Sequence, residues 1–389
     1  MIHSFSSIIS QTTPLIHYTT LSLEFAALAY LCLAIFYTMR FRVMPRMSGK
    51  QTHSPVTIMV PIKGSPPRLY ECLRSFCAQD YPQFQVVFGL HEADDPGREV
   101  IERVMAEFPH VDTRLIIDAH RIGSNPKICN LSNMYHAVKH EIIVMLDSDV
   151  YVDPHFLEVM VAPFADSNVG GVTCLYQGAP ESGLASRLGA LYINDWLMPS
   201  MLVDLSMREM DLTYGAAVAV TRSSLKNIGG FAAVADSVAE DDDFGELLYQ
   251  RGYRVVLAPR IVATVVAEDN FSVLWRHEMR WMRSVRACRA RDHFLSVVMH
   301  ALLPASLLTA LAPFTPGISL LMLMIILRIV LHYLVQARLP VPVRISPLWV
   351  PVRECLNFVQ WLASFVSNDM YWGEYSLRSI GDRRMSVNS

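Results

Sequence analysis

Three stretches of the chain are almost purely apolar, and the region between the first and second alternates apolar runs of strand length with amphipathic runs of helix length. The first stretch, Leu21 to Met39, carries Glu24 and a few hydroxyl residues among its apolar positions. It approaches the roughly 20 residues that a membrane-spanning helix needs. The second runs from about Phe294 to Gln336 and is split by Pro313, Pro316 and Gly317. It reads as two spans, 294–312 and 317–336, forming a hairpin. The third, about Ile345 to Val366, is interrupted by Arg353 and Glu354, and Pro342, Pro347 and Pro351 precede or open it.

Flanking charges orient these segments. Arg40, Arg42, Arg46 and Lys50 follow the first stretch, and Arg338 and Arg344 follow the hairpin. Basic residues favour the cytoplasmic side, so the region between is expected in the cytoplasm. A full span at 345–366 would place Arg378, Arg383 and Arg384 on the opposite side, so a re-entrant or interfacial helix is the preferred reading there. The charges follow the first apolar run rather than precede it, which disfavours a cleaved signal peptide. This divides the chain into an N-terminal anchor with its basic flank (1–50), a cytoplasmic domain (51–293), and C-terminal membrane segments with a cytoplasmic tail (294–389).

Within the middle region, Val56 to Ile62, Gln85 to Leu90 and Thr113 to Ile117 read as strands, and the run Glu141 to Leu146, rich in β-branched residues, as a buried strand of a parallel sheet. Arg68 to Gln79, Glu99 to Phe108, Asn130 to His140 and Phe244 to Arg251 carry helical patterns. The alternation predicts an α/β fold with a mostly parallel sheet. Composition agrees with the membrane reading: 52% of residues are hydrophobic and 18% charged, against about 25% charged in soluble domains. A net charge of −3 gives no overall basic surface for nucleic acid. The 13 His and 7 Cys have no zinc-ligand or redox spacing.

Polar clusters then fall where the strands end. Asp147-Ser148-Asp149 closes the 141–146 run; two carboxylates at the carboxyl edge of a parallel sheet suit a divalent cation on phosphate oxygens, or form a solvated turn. Asp94-Asp95 follows the second strand and can accept hydrogen bonds from a nucleoside, or close a D-D-P-G turn. Lys127, after Gly123-Ser124-Asn125-Pro126, can meet a phosphate or sit on a surface loop. Glu240-Asp241-Asp242-Asp243 opens a helix, where the macrodipole explains part of the acidity; a base that removes a hydroxyl proton explains the rest. His277, Arg280 and Trp281 lie in an arginine-rich stretch that reads either as a membrane-interface belt or as a diphosphate and acceptor contact. Neither the Rossmann glycine fingerprint nor a P-loop is present.

In this order the clusters resemble the ceramide glucosyltransferase family (glycosyltransferase family 21-like), which includes bacterial hopanoid-biosynthesis glycosyltransferases. The residues that carry the resemblance are Pro61-Ile62-Lys63-Gly64, Asp80-Tyr81-Pro82, Asp94-Asp95-Pro96, Asn125-Pro126-Lys127, Asp147-Ser148-Asp149, Glu240-Asp241, Arg280-Trp281, and Trp372, Gly373 and Tyr375 in the tail. The resemblance implies a GT-A nucleotide-sugar-binding domain, a UDP-sugar donor and a membrane-lipid acceptor, ceramide or a hopanoid polyol, with a slight preference for the hopanoid. It implies Asp94 or Asp95 on the uridine, Asp147 and Asp149 on Mg²⁺ or Mn²⁺, and Asp241 as the general base. Lys63, Lys127, Glu240, His277, Arg280 and Trp281 would contact substrates. A multi-pass protein of a bacterial inner membrane follows. His277 departs from the Gln or Arg usual at its place, which puts that contact in doubt and argues against processive polysaccharide synthases. Asp149 keeps an acid where some ceramide enzymes have none. A processive synthase and a non-catalytic nucleotide-sugar or lipid binder are the rival readings.

Overall fold

The computed structural model describes residues 2–43, 54–340, 344–372, 375–381 and 383–387. Arg46, Lys50, the 50/51 boundary, Pro342 and Gly373 lie outside the described residues. The chain opens with a long helix, α1 (Ile2–Arg40). The first sheet half follows: β1 (Val56–Pro61), α2 (Leu69–Cys77), β2 (Phe84–Leu90), α3 (Gly97–Glu107), β3 (Asp112–Ile117), α4 (Pro126–Met134) and β4 (Ile142–Leu146). β1 pairs in parallel with β2 and β4, and β2 with β3. A helix links each of these strands to the next, which is what parallel pairing requires. β1 and β4 are buried on both faces, in keeping with their unbroken apolar sequence.

The second half is mixed. β5 (Val150–Tyr151), α5 (Phe156–Val161), β6 (Val169–Pro180), α6 (Gly183–Tyr192), α7 (Met198–Met207), β7 (Ala217–Thr221), α8 (Arg222–Asn227), α9 (Glu240–Gln250) and β8 (Arg254–Val266) complete the sheet in the order β3-β2-β1-β4-β7-β6-β8-β5. β7 is antiparallel to both β4 and β6, and β5 to β8, while β6 and β8 run parallel. The parallel expectation therefore describes the β3-β2-β1-β4 half.

Helices α6 and α7 are joined by a π-helical turn, Ile193–Leu197, whose Trp196 is fully buried. Pro199 lies at the start of α7 and has no amide to give the carbonyl of Asp195. Arg328 Nη1 donates to that carbonyl at 3.0 Å instead, and its guanidinium lies 3.4 Å over the Trp196 ring. His332 Nδ1 sits 2.7 Å from the Asp195 carboxylate. Arg328 and His332 belong to an apolar helix near the C-terminus, so the π turn is where that helix locks onto the sheet domain.

After β8 come α10 (Phe271–Cys288), α11 (Ala290–Leu295), α12 (Leu302–Leu311), α13 (Thr315–Arg338) and α14 (Val350–Ser364). Among the described residues, Thr13–Arg40 and Thr315–Arg338 are long and apolar enough to cross a membrane. The expected span at 294–312 is not one straight helix. A tight 3₁₀ turn, Ser296–His300, separates α11 from α12, and the two limbs meet at 60°. Pro304 in the first turn of α12 cannot donate to a preceding carbonyl, which favours a break there. At 345–366 the chain forms the 15-residue α14, about 22 Å long and short of the roughly 30 Å of a hydrocarbon core. A three-stranded antiparallel sheet, β9 (Asp369–Trp372), β10 (Tyr375–Gly381) and β11 (Arg384–Val387), ends the chain.

The apolar core has a large cluster between the sheet and α2, α3 and α5, and a second in which α1, α6, α7, α12 and α13 pack together. The second cluster joins the apolar helices to the sheet domain around the buried Asp195, Arg328 and His332 group. Arg353 of α14 is fully buried and donates twice to Glu278 of α10, Nη1 to Oε1 and Nη2 to Oε2, each at 2.8 Å.

Candidate active site

The carboxyl ends of β1 and β4, the first turns of α4 and α9, and one face of α10 converge on a cavity of about 1190 Å³. Lys63, Lys127, Asp147, Asp149, Glu240 and Asp241 line it, with His277, Arg280 and Trp281 opposite. These sequence-predicted residues, spread over more than 200 positions, are brought together. The cavity continues past Tyr192 to Tyr30 on α1 and to Leu295, Val298 and Met299 beside α12.

Asn125 caps α4 by accepting from Ile128 N at 3.1 Å, with Pro126 at the first helical position, where a missing amide is harmless. Lys127 thereby sits in the first turn, facing inward. Its Nζ lies 2.7 Å from Asp147 Oδ1 and 3.0 Å from Glu240 Oε1. Burial alone would lower its pKa, but the two carboxylates outweigh burial and hold the ammonium above its ordinary range. Lys127 is therefore a counter-ion that bridges the ends of β4 and α9.

The four acids of α9 divide sharply. Glu240 is paired with Lys127 and accepts from Asn125 Nδ2 at 3.1 Å. Asp242 meets Arg289 Nε at 2.6 Å, and Asp243 meets Arg383 Nη1 at 3.0 Å. Asp241 has no ion pair among the described residues. Its Oδ2 accepts from Gly215 N at 2.8 Å, and its carbonyl accepts from the Thr213 hydroxyl at 2.7 Å. The approach is close: a Cβ on Gly215 would stand 3.0 Å from Asp241 Oδ2, and one on Gly245 would overlap the Leu212 backbone. Burial, followed by the charge of Glu240, pushes the Asp241 carboxyl up to about 7.

Asp149 is likewise pushed up to about 7, by burial and then by Asp147. Its Oδ1 is buried with no hydrogen-bond partner among the described residues. An orphaned carboxylate oxygen beside a second carboxylate is a donor set that fits a hard divalent cation. Asp242, Asp243 and Cys288 also approach one another within 4.8 Å, but Arg289 and Arg383 already occupy those carboxylates.

On the facing helix, burial draws the Arg280 guanidinium below its ordinary value, against the opposing pull of Glu240, Asp147, Asp241 and Asp149. Arg280 lines the same cavity as that acidic cluster. His277 Nδ1 lies 2.6 Å from Glu268 Oε1, and the His277 ring is 4.4 Å from Trp281. Trp281 in turn stacks on Tyr192 at 6.4 Å. Asp94 and Asp95 stand apart from the cavity wall. Asp94 is exposed. Asp95 accepts from Gly64 N at 3.0 and 2.9 Å and from Gly97 N at 2.8 Å, so it holds the loop that carries Lys63.

Sequence reasoning missed Thr213, Gly215, Glu268, Arg289 and Arg383. Glu268 was the most accessible, since it follows β8 at the sheet edge as Asp147 follows β4. The cradle of Asp241 left no local signal, because Gly215 precedes it by 26 positions.

The sheet order with its carboxyl-edge acids defines a GT-A fold. A mannosyltransferase PcManGT from Pyrobaculum calidifontis, solved in complex with GDP-Man and Mn²⁺, shares it, with a TM-score of 0.55 at 17% identity over 88% of this chain and 99% of that one. The chain matches Glycosyl transferase family 21 over residues 19–381, and it belongs to that family. It is 34% identical over 156 residues to a ceramide glucosyltransferase of Gibberella zeae, covering 37% of this chain and 30% of the fungal protein. It is 22% identical over 262 residues to ceramide glucosyltransferase 1 of Caenorhabditis elegans, covering 67% of this chain and 56% of the relative. The chain thus spans less than two thirds of the length of either relative.

Proposed function

We propose that the chain is a membrane-bound, inverting glycosyltransferase that moves one hexose from a nucleotide-diphosphate sugar, expected to be a UDP-sugar, to the hydroxyl of a membrane lipid. The observation that carries this reading is the continuous cavity, which joins the carboxylate site to the apolar helices at Tyr30 and Met299. A water-soluble donor reaches one end and an amphiphilic alcohol the other. The names of the matched relatives support ceramide as the acceptor class; a hopanoid polyol is the other amphiphile to test.

In this reading Asp241 takes the proton from the acceptor hydroxyl as its oxygen attacks the anomeric carbon in line. Gly215 N–H fixes the carboxylate, leaving the other oxygen for the acceptor. Arg280 faces the departing diphosphate, where its planar donors match phosphate oxygens. Asp147 and Asp149 would hold Mg²⁺ or Mn²⁺, which when bound neutralises diphosphate charge. Lys127 pairs with Asp147 and holds the Glu240 carboxyl below its ordinary range. Trp281, braced by Tyr192 and His277, offers an aromatic wall for sugar or acceptor. Holding both substrates in one cavity removes much of the orientational cost of joining them. The sheet domain lies on the cytoplasmic face.

The test is mass spectrometry of lipids after incubating the protein in nanodiscs with UDP-glucose or UDP-N-acetylglucosamine and ceramide or bacteriohopanetetrol. One hexose increment on one lipid, absent in Asp241→Asn, is expected. A ladder of increments would favour a processive synthase. UDP binding without any increment would favour a binding role.

A further inference from the structure

The C-terminal sheet fastens to two helices that both face the cavity. On the α10 side, Arg283 donates to the carbonyl of Asp369, and Arg286 Nη2 donates to that of Ser367 at 3.0 Å. On the α9 side, Val238 N donates to Arg383 O at 3.0 Å and Met385 N to Asp236 O at 2.9 Å, so β11 extends antiparallel along the segment before Glu240. The Arg383 side chain then reaches into α9. It pairs with Asp243 at 3.0 Å, with Asp242 at 3.4 Å, and with Glu246. Met370 and Met385, both buried, close on Val238 and on Ala287 and Cys288 of α10.

Segment 235–239 is held from the other side as well. Asn125 N donates to Ala235 O at 2.8 Å, Ser124 N to the Asp236 carboxylate at 2.8 Å, and Asn125 Nδ2 to Ser237 O at 3.2 Å. The segment therefore runs between the α4 cap and the tail, and leads straight into the turn that presents Asp241. Asp243 and Glu246 of α9 take their counter-charge from a residue 137 or more positions later, and Asp242 shares it with Arg289.

We infer that the C-terminal strand is a clasp that sets the first turn of α9 against α10, and that Arg383 is a positioning residue for Asp241. This rests on the reading of Asp241 as the base. Without Arg383, Asp243 and Glu246 lose their counter-charge and repel each other next to Asp241, Asp242 keeps only Arg289, and the turn loses its fixed distance from Arg280. Small displacements of a catalytic group carry large rate effects, up to about 100-fold for 1 Å.

The experiment uses the full chain in nanodiscs, with the donor and lipid found active in the assay above. Arg383→Ala is expected to lower kcat by about 10-fold to 100-fold, with UDP affinity and donor KM within about twofold of wild type. Arg383→Lys keeps the charge and is expected to recover part of kcat. Hydrogen exchange supplies a readout without turnover: amides 236–243 exchange faster in Arg383→Ala while those of β1 and β4 do not. Wild-type kcat with unchanged exchange overturns the clasp. So does a parallel loss of kcat, UDP affinity and exchange protection throughout the sheet, which marks a general structural role. If Arg383→Ala does not fold, Arg383→Gln is read by the same criteria. Asp241→Asn runs alongside: if it keeps full transfer, the base reading falls, and exchange at 236–243 still decides the clasp.

Discussion

Of the acids at 240–243, Glu240, Asp242 and Asp243 face Lys127, Arg289 and Arg383, while Asp241 faces a backbone amide and the cavity. An amide orients a carboxylate without supplying a counter-charge, which suits Asp241 to the base role proposed for it. Asp241→Asn is isosteric and retains the Gly215 contact, so UDP affinity should change little while transfer falls by about 10²–10⁴-fold; isothermal titration and single-turnover mass spectrometry measure the two. Because burial and Glu240 push the Asp241 carboxyl up to about 7, the proton-accepting form is lost as pH falls below that value. kcat/KM should drop tenfold per unit on the acid side and level off above it. Gly215→Ala brings a Cβ to 3.0 Å from Asp241 Oδ2, and is expected to lower kcat more than it raises donor KM in steady-state kinetics.

At the scale of elements, the pair Glu278–Arg353 bolts α14 to α10, with Arg353 Nε also donating to Asn357 Oδ1. Both partners are almost wholly buried. Glu278→Gln leaves an uncompensated guanidinium in the core, at about 3–5 kcal/mol of destabilisation, and the double change Glu278→Met/Arg353→Met should recover most of it; denaturant unfolding in detergent compares the three. The strands β1 to β4 were legible in the sequence because each is a short, mostly apolar or β-branched run followed within a few residues by charged ones. Within the site, Lys127, Asp147 and Asp241 were legible because each sits at an element end. The tail sheet was not: β9 to β11 mix aromatic, polar and basic residues, and their apolar partners Val238 and Cys288 are distant in sequence. The pairing of Lys127 with carboxylates was also out of reach, since a lysine after a helix cap looks the same whether it meets phosphate or acid.

At the scale of the whole molecule, α14 has its polarity reversed. Arg353, Glu354, Asn357 and Gln360 face inward, while Val352, Val359 and Leu362 are exposed. A helix that hides its polar side and shows its apolar side suits a lipid surrounding, and its length suits lying in the bilayer surface rather than crossing it. With Cys32 and Cys355 replaced, a bimane on Val359→Cys should be quenched by shallow lipid-borne nitroxides and spared by aqueous iodide. A cytoplasm-sensitive reporter fused after Ser389 should be active if α14 does not cross, and silent if it does.

α1 packs along α7, α12 and α13 and lends Tyr30 to the cavity wall. In the function proposed, the first helix is thus part of the reaction vessel. Exchanging residues 13–40 for an unrelated hydrophobic helix of equal length would return the protein to the bilayer yet leave it unable to seat its lipid, so localisation and turnover would part company in the chimera.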